Sequence, residues 1–258
     1  LWIKDASFFE IDLLLGLESF LKKDYIIAEK YFKRLNKISR YNLFFDDFVG
    51  NVLISWIRAI EGNKDESFIL LKKIPTQYSN LKNIQKSLLE CYFDSLNTQK
   101  SFEELVLSEE YNFSRYNFFL ANYLLLNNKT DAAKTLISNS RKEHRSNLLL
   151  QQAENYFQSD QEKKVKNFFS CNNPKESLGE FFYVLANLYS SEKNYQMSNF
   201  YLKISLFLNN KFLMNKALLA ENYYYQKKNG LSKNIYQSLK SIGQAYSWHA
   251  SKRIAAIL

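Results

Sequence analysis

The chain has 258 residues, a net charge of +9 at pH 7 and an aromatic content of 16%. Its six glycines and two prolines are too few for a turn-rich all-β protein of this length. No run of about 18 apolar residues occurs, so the sequence predicts no membrane-spanning helix. The lysines are spread along the chain in short runs, which indicates a solvated surface, and nucleic acid is therefore not the expected partner.

Seven pairs of amphipathic helices are predicted, because apolar residues recur at helical spacing on both sides of short polar turns. In chain order, the predicted pairs cover residues 9–40, 44–78, 81–111, 114–145, 146–174, 179–210 and 213–243. The range 81–111 is degenerate, and Cys91 and Phe102 are its only predicted core residues. Residues 245–258 are predicted to form the first helix of a further pair, and we expect the chain to be a piece of a longer solenoid.

A pair of small residues twelve positions apart is the strongest periodic signal, and it returns every 32 to 34 residues from Ala121 onward. A period of this length is typical of a helical solenoid. Where two helices cross closely, a side chain larger than alanine or serine would force their axes apart, so the small residues are predicted to serve packing. The predicted packing residues are Gly16, Ala28, Ala121, Ala133, Ala153, Ala186, Ser198, Ala220 and Ser232.

These positions resemble the tetratricopeptide repeat, which has a small residue at position eight, an aromatic at eleven, a polar turn, a small residue at twenty and a large apolar residue at twenty-four. The best matches are Ala186, Tyr189, Ser198 and Leu202; Ala220, Tyr223, Ser232 and Tyr236; Ala121, Leu124, Ala133 and Ile137; and Ala153, Tyr156, Val165 and Phe169. The resemblance implies an all-α fold, a right-handed α-α superhelix of antiparallel helix pairs. It also implies a non-catalytic scaffold that binds another protein.

In this family a partner peptide or helix lies on the concave face, which is lined by the first helix of each pair. The corresponding predicted partner-binding residues are Phe118, Asn122, Leu150, Glu154, Tyr183, Asn187, Glu221 and Tyr224. Asn122 and Asn187 resemble asparagines that hold a peptide backbone in some members, and the alternative is that they bond a neighbouring helix. The fifth positions carry no lysine, so a clamp for a C-terminal carboxylate is not expected.

Residues for catalysis are scarce. Neither His144 nor His249 has a partner at metal-ligand spacing, and the glycines are isolated rather than gathered in a phosphate-binding loop. The sequence therefore predicts no enzyme activity, no cofactor, no metal and no small-molecule substrate.

The sequence does not determine the cellular compartment of the protein. Abundant Asn, Ile, Lys and Tyr suggest an AT-rich bacterial genome, and the chain begins at Leu1, as after removal of a leader or in a fragment. Cys91 and Cys171 lie 80 residues apart, more than two repeats, so we expect free thiols in the core. Bacterial cytoplasm and periplasm or envelope are both compatible with these features.

Two other roles remain open beside the scaffold. The chain could be a structural or self-associating arm of a larger envelope or assembly protein, with a homo-oligomer as its product. Less favoured is RNA binding by a basic helical repeat, which requires Lys and Arg on one face.

Overall fold

The computed structural model describes residues 9–38, 48–107 and 114–257, which form 15 α-helices and no strand. The helices are α1 (Phe9–Leu21), α2 (Tyr25–Ile38), α3 (Phe48–Ile60), α4 (Lys64–Lys72), α5 (Ser79–Tyr92), α6 (Thr98–Val106), α7 (Tyr116–Leu126), α8 (Thr130–Glu143), α9 (Leu148–Gln158), α10 (Glu162–Phe168), α11 (Pro174–Ser191), α12 (Tyr195–Leu208), α13 (Lys216–Tyr225), α14 (Asn229–Leu239) and α15 (Gln244–Ala255). Helices adjacent in the chain pack against each other, as in α1–α2, α7–α8 and α11–α12. The predicted all-α fold of helix pairs is confirmed.

Two compact units divide the chain, Leu1–Phe93 and Asp94–Leu258. The division falls inside the predicted range 81–111, the degenerate one. The start of the range 44–78 and the ends of the ranges 9–40 and 81–111 lie outside the described residues. Among the residues that the structure describes, no helix is both long and apolar enough to cross a membrane.

The turns between paired helices share one backbone conformation: a residue with positive φ follows the end of the first helix. These residues are Lys23, Gly62, Asp94, Asn128, Asp160, Lys193 and Lys227, and from Gly62 onward they lie 32 to 34 residues apart. At Lys193 the backbone N–H bonds to the carbonyl of Ser190 (3.0 Å), and the next N–H bonds to that of Tyr189 (2.9 Å). This Schellman pattern satisfies the last carbonyls of the helix and reverses the chain.

Glycine in place of Lys193 is expected to raise the free energy of unfolding by about 1 kcal/mol. Lys193 has φ 60°, in the left-handed region that costs a residue with a Cβ about 1–2 kcal/mol, and its side chain is exposed. The reciprocal control is Gly62→Ala, where φ is 83° and no atom lies near the new Cβ, so about 1 kcal/mol should be lost. Urea titrations measure both, and a change of the same sign in both variants would contradict this account.

The small residues lie where the paired helices meet. The hydroxyl of Ser198 donates to the carbonyl of Ala186 (2.7 Å), and that of Ser232 donates to the carbonyl of Ala220 (2.8 Å). A Cβ at Gly16 would lie 2.4 Å from the ring of Phe32. Larger side chains at such positions would separate the helices. All nine predicted packing residues are buried.

Asparagine side chains cap the N-termini of three helices of the second unit. Asn147 accepts from the backbone N–H groups of Leu149 (3.1 Å) and Leu150 (3.2 Å) at the start of α9. Asn173 and Asn194 cap α11 and α12 in the same manner. Such caps satisfy N–H groups that have no partner inside the helix and typically stabilise it by about 1 kcal/mol.

Candidate functional site

Three of the predicted partner-binding residues are interior. Phe118, Asn122 and Leu150 are at most 1% exposed. The ring of Phe118 packs edge-on against Phe212 (centroids 5.6 Å apart), and the amide of Asn122 donates to the carbonyl of Val165 (2.8 Å). Their side chains therefore bind the chain's own helices and are not available to a partner. For Asn122, the structure shows the bond to a neighbouring helix that the sequence left as the alternative.

Helices distant in sequence are in contact within the second unit. Helix α15 packs on α9, where Gln152 accepts from the backbone N–H of Ala245 (3.0 Å). The hydroxyl of Tyr156 donates to the carbonyl of Ile242. The concave face inferred from the repeat pattern assumes that units touch only their neighbours. Here the residues in contact are 86 to 93 positions apart, so units that are not neighbours in the chain also touch.

Arg115, which directly precedes α7, is at the centre of this interior. Its Nε and Nη2 atoms donate to the two oxygens of Glu180 on α11, both at 2.8 Å, and Nη2 also donates to Asn215 (2.8 Å). Burial lowers the pKa of Arg115, but the nearby charge of Glu180 outweighs it, so that the pKa lies above its ordinary value. This is a forked ion pair with both partners largely removed from water.

Tyr183 belongs to the same cluster. The guanidinium carbon of Arg115 lies 3.8 Å from the centre of its ring, a cation–π contact. Burial raises the pKa of the Tyr183 phenol, and Arg115 partly offsets this rise. Tyr183 is half-buried and supports Arg115, so its main contact is internal. The sequence pattern did not single out Arg115 or Glu180, because nothing local relates residues 65 positions apart.

The other predicted residues keep some exposure. Asn187 is exposed on α11, and Tyr224 packs on the ring of Tyr225 at the end of α13. Glu221 of α13 is 33% exposed and pairs with Arg253 of α15 (2.5 Å). Helices α11 and α13 are joined by a bond from the Ser190 hydroxyl to Asn222 (2.7 Å). Tyr183, Asn187, Glu221 and Tyr224 thus lie on neighbouring first helices.

Glu154 is separate from that group. It lies on α9 and faces Arg141 of α8, with 3.8 Å between its carboxylate and the Nε atom.

One large apolar side chain is exposed on each of the first helices α11, α13 and α15. These are Leu188 (45% exposed), Tyr225 (50%) and Trp248 (67%). Together with Asn187 and Glu221 we call them the C-terminal surface. The sequence pattern did not select Leu188 or Trp248, because helical periodicity alone does not separate a solvent-facing apolar residue from a core one.

A groove of about 480 Å³ lies between α6, α7 and α8. Its lining residues are Gln99, Glu103, Leu120, Leu124, Asp131, Ala132, Thr135, Leu136 and Asn139. Its volume is within the range of about 300–1,000 Å³ typical of ligand sites. None of these residues was singled out from the sequence as a binding residue.

In residues 9–38, 48–107 and 114–257, no group of three or more His, Cys, Asp or Glu residues could hold a metal ion. His249 packs against the ring of Tyr236 (5.9 Å), and burial lowers its pKa. His144 lies 4.0 Å from Glu143 at the end of α8.

Both cysteines are disulfide-bonded, so the expectation of free thiols is wrong. Cys91 and Cys171 are buried, with 3% and 4% exposure. The expectation relied on their separation of 80 residues along the chain. Such a separation sets no distance in space, as the contact between Gln152 and Ala245 shows.

Comparison of the sequence with models of protein families and with curated proteins found no match. Any assignment of function therefore rests on the residues and contacts of this chain.

Proposed function

We propose that this protein is a tetratricopeptide-like scaffold that binds another protein and carries no catalytic activity. The regular turns after each first helix and the small residues where helices cross support the family resemblance. The exposed apolar residue on each of α11, α13 and α15 is the observation that carries the binding role. Exposed aromatic residues with polar neighbours are typical of surfaces that contact protein partners.

The binding site of this proposal is the C-terminal surface. Trp248 supplies the largest exposed apolar side chain, and Lys252 lies beside its ring (5.5 Å). Asn187 on α11 and Glu221 on α13 add polar groups to the surface, and Glu221 is paired with Arg253. Aromatic anchors among polar groups commonly dominate the energy of a protein interface.

Affinity capture with the chain as bait tests this placement. Replacing Trp248 and Asn187 together by alanine is expected to lower partner recovery about tenfold or more, because both side chains are exposed. Tyr183 is left intact, since its loss would disturb Arg115. The control is Ile69→Ala, which removes an exposed apolar side chain (51%) on α4. Equal recovery with both variants would contradict the site.

Self-association is a second candidate, favoured by an apolar stripe on α1. Ile11, Leu14 and Leu15 are 51%, 48% and 37% exposed along one face of that helix. Light scattering should then show a mass that rises with concentration, and Leu14→Glu should abolish the rise. A constant monomer mass over the whole concentration range would exclude this role.

The disulfide-bonded cysteines favour an oxidising compartment, such as a bacterial periplasm or envelope, because cytosolic thiols are kept reduced. Protein isolated without reductant and then unfolded is expected to resist alkylation, and prior reduction should allow both cysteines to react. Intact-mass spectrometry distinguishes the two forms. Alkylation of unreduced, unfolded protein would contradict the compartment.

A further inference from the structure

The groove between α6, α7 and α8 has an apolar floor and a low wall. Leu120 and Leu124 of α7 line the floor and are buried, with 3% and 4% exposure. On α8, Ala132, Thr135 and Asn139 are exposed at helical spacing, so one side of the groove carries only short side chains. Short side chains let the backbone of another helix approach closely.

The charge of the groove is opposite to that of the whole chain. Its lining contains the exposed carboxylates of Glu103 and Asp131 and no lysine or arginine, whereas the chain carries a net charge of +9. Asp131 lies in the first turn of α8, where the helix dipole favours a carboxylate. Glu103 lies near the C-terminal end of α6, where the dipole favours a cation. Within α6 the side-chain amide of Gln99 donates to the Glu103 carboxylate (2.9 Å), a bond that leaves the negative charge of Glu103 in place.

From this combination we infer that the groove binds a cationic amphipathic helix of a partner protein. Leucine-like side chains at i, i+3 or i+4, and i+7 would lie on Leu120 and Leu124, in the way amphipathic helices occupy apolar grooves. Lysine or arginine beside them would pair with Glu103 and Asp131. Nucleic acid and anionic lipid do not fit, because their phosphates would be repelled by the two carboxylates. The groove shares no residue with the C-terminal surface, so the two sites are independent.

Two synthetic helical peptides with the same leucine pattern test the inference, one with lysine and one with glutamate at the flanking positions. Fluorescence anisotropy should show that the lysine peptide binds the full chain at least about tenfold more tightly than the glutamate peptide. Added salt should weaken its binding. The double variant Glu103→Lys with Asp131→Lys should reverse the preference between the peptides.

Two further variants make the outcome decisive. Ala132→Trp places a large side chain in the groove from an exposed position, and it should weaken the lysine peptide about tenfold or more while the helical circular dichroism stays unchanged. Glu192→Lys makes one such acid-to-lysine change at an exposed turn after α11 and should leave affinity unchanged. No binding of the lysine peptide, equal binding of the two peptides, or undiminished binding to Ala132→Trp would overturn the inference. None of these results would affect the site tested with Trp248.

Discussion

Alanine in place of Arg115 is expected to lower the free energy of unfolding of the second unit by about 3–5 kcal/mol. The substitution leaves the carboxylate of Glu180, which is 3% exposed, without its forked partner in the interior. It also removes the bond to Asn215 and the cation–π contact with Tyr183. Chemical denaturation measures the loss, and hydrogen exchange in α7 and α11 localises it to this unit.

The matched control for this loss is Arg253→Ala. Arg253 and Glu221 form an ion pair of similar length, but both side chains are about one-third exposed. Solvent screening limits such a pair to about 0–1 kcal/mol. Equal losses in the two arginine variants would contradict the role assigned to Arg115. The double variant Arg115→Met with Glu180→Leu should recover much of the stability, because it leaves no buried charge unpaired.

Valine in place of Gly50 is expected to destabilise the first unit by about 3 kcal/mol. Gly50 lies on α3, where a Cβ atom would come within 2.6 Å of the backbone oxygen of Phe32 on α2 and 1.9 Å of the side-chain oxygen of Asn36. A backbone atom cannot move aside as a flexible side chain can, so α2 and α3 would have to separate. The thermal midpoint and the urea midpoint should both fall.

Gly230→Ala is the control for that substitution. Gly230 lies in the first turn of α14, and no atom is within 4 Å of a Cβ placed there. Alanine should therefore stabilise the helix slightly, by about 0.5 kcal/mol, because it reduces the freedom of the unfolded chain. A loss of stability at Gly230 comparable with that at Gly50 would show that close helix contact is not the cause.

The candidate sites were predictable only in part. Asn187 lies on an exposed helix face, but Asn122, at the corresponding position of an earlier helix pair, is buried. Burial depends on which other helix covers a face, and that helix is distant in sequence. The groove could not be predicted for the same reason. Its walls come from three helices, and no single helix carries its combination of leucines and carboxylates.

Features that depend on neighbours along the chain were predictable from the sequence alone. Helical spacing predicted paired helices, and residues twelve positions apart, such as Ala186 and Ser198, do meet at their crossing. The three-dimensional packing was needed to show that Arg115 pairs with Glu180, that α15 covers α9, and that the cysteines are oxidised. The physical reason is that periodicity records which face of a helix avoids water, whereas the identity of the surface that covers it depends on the packing of the whole unit.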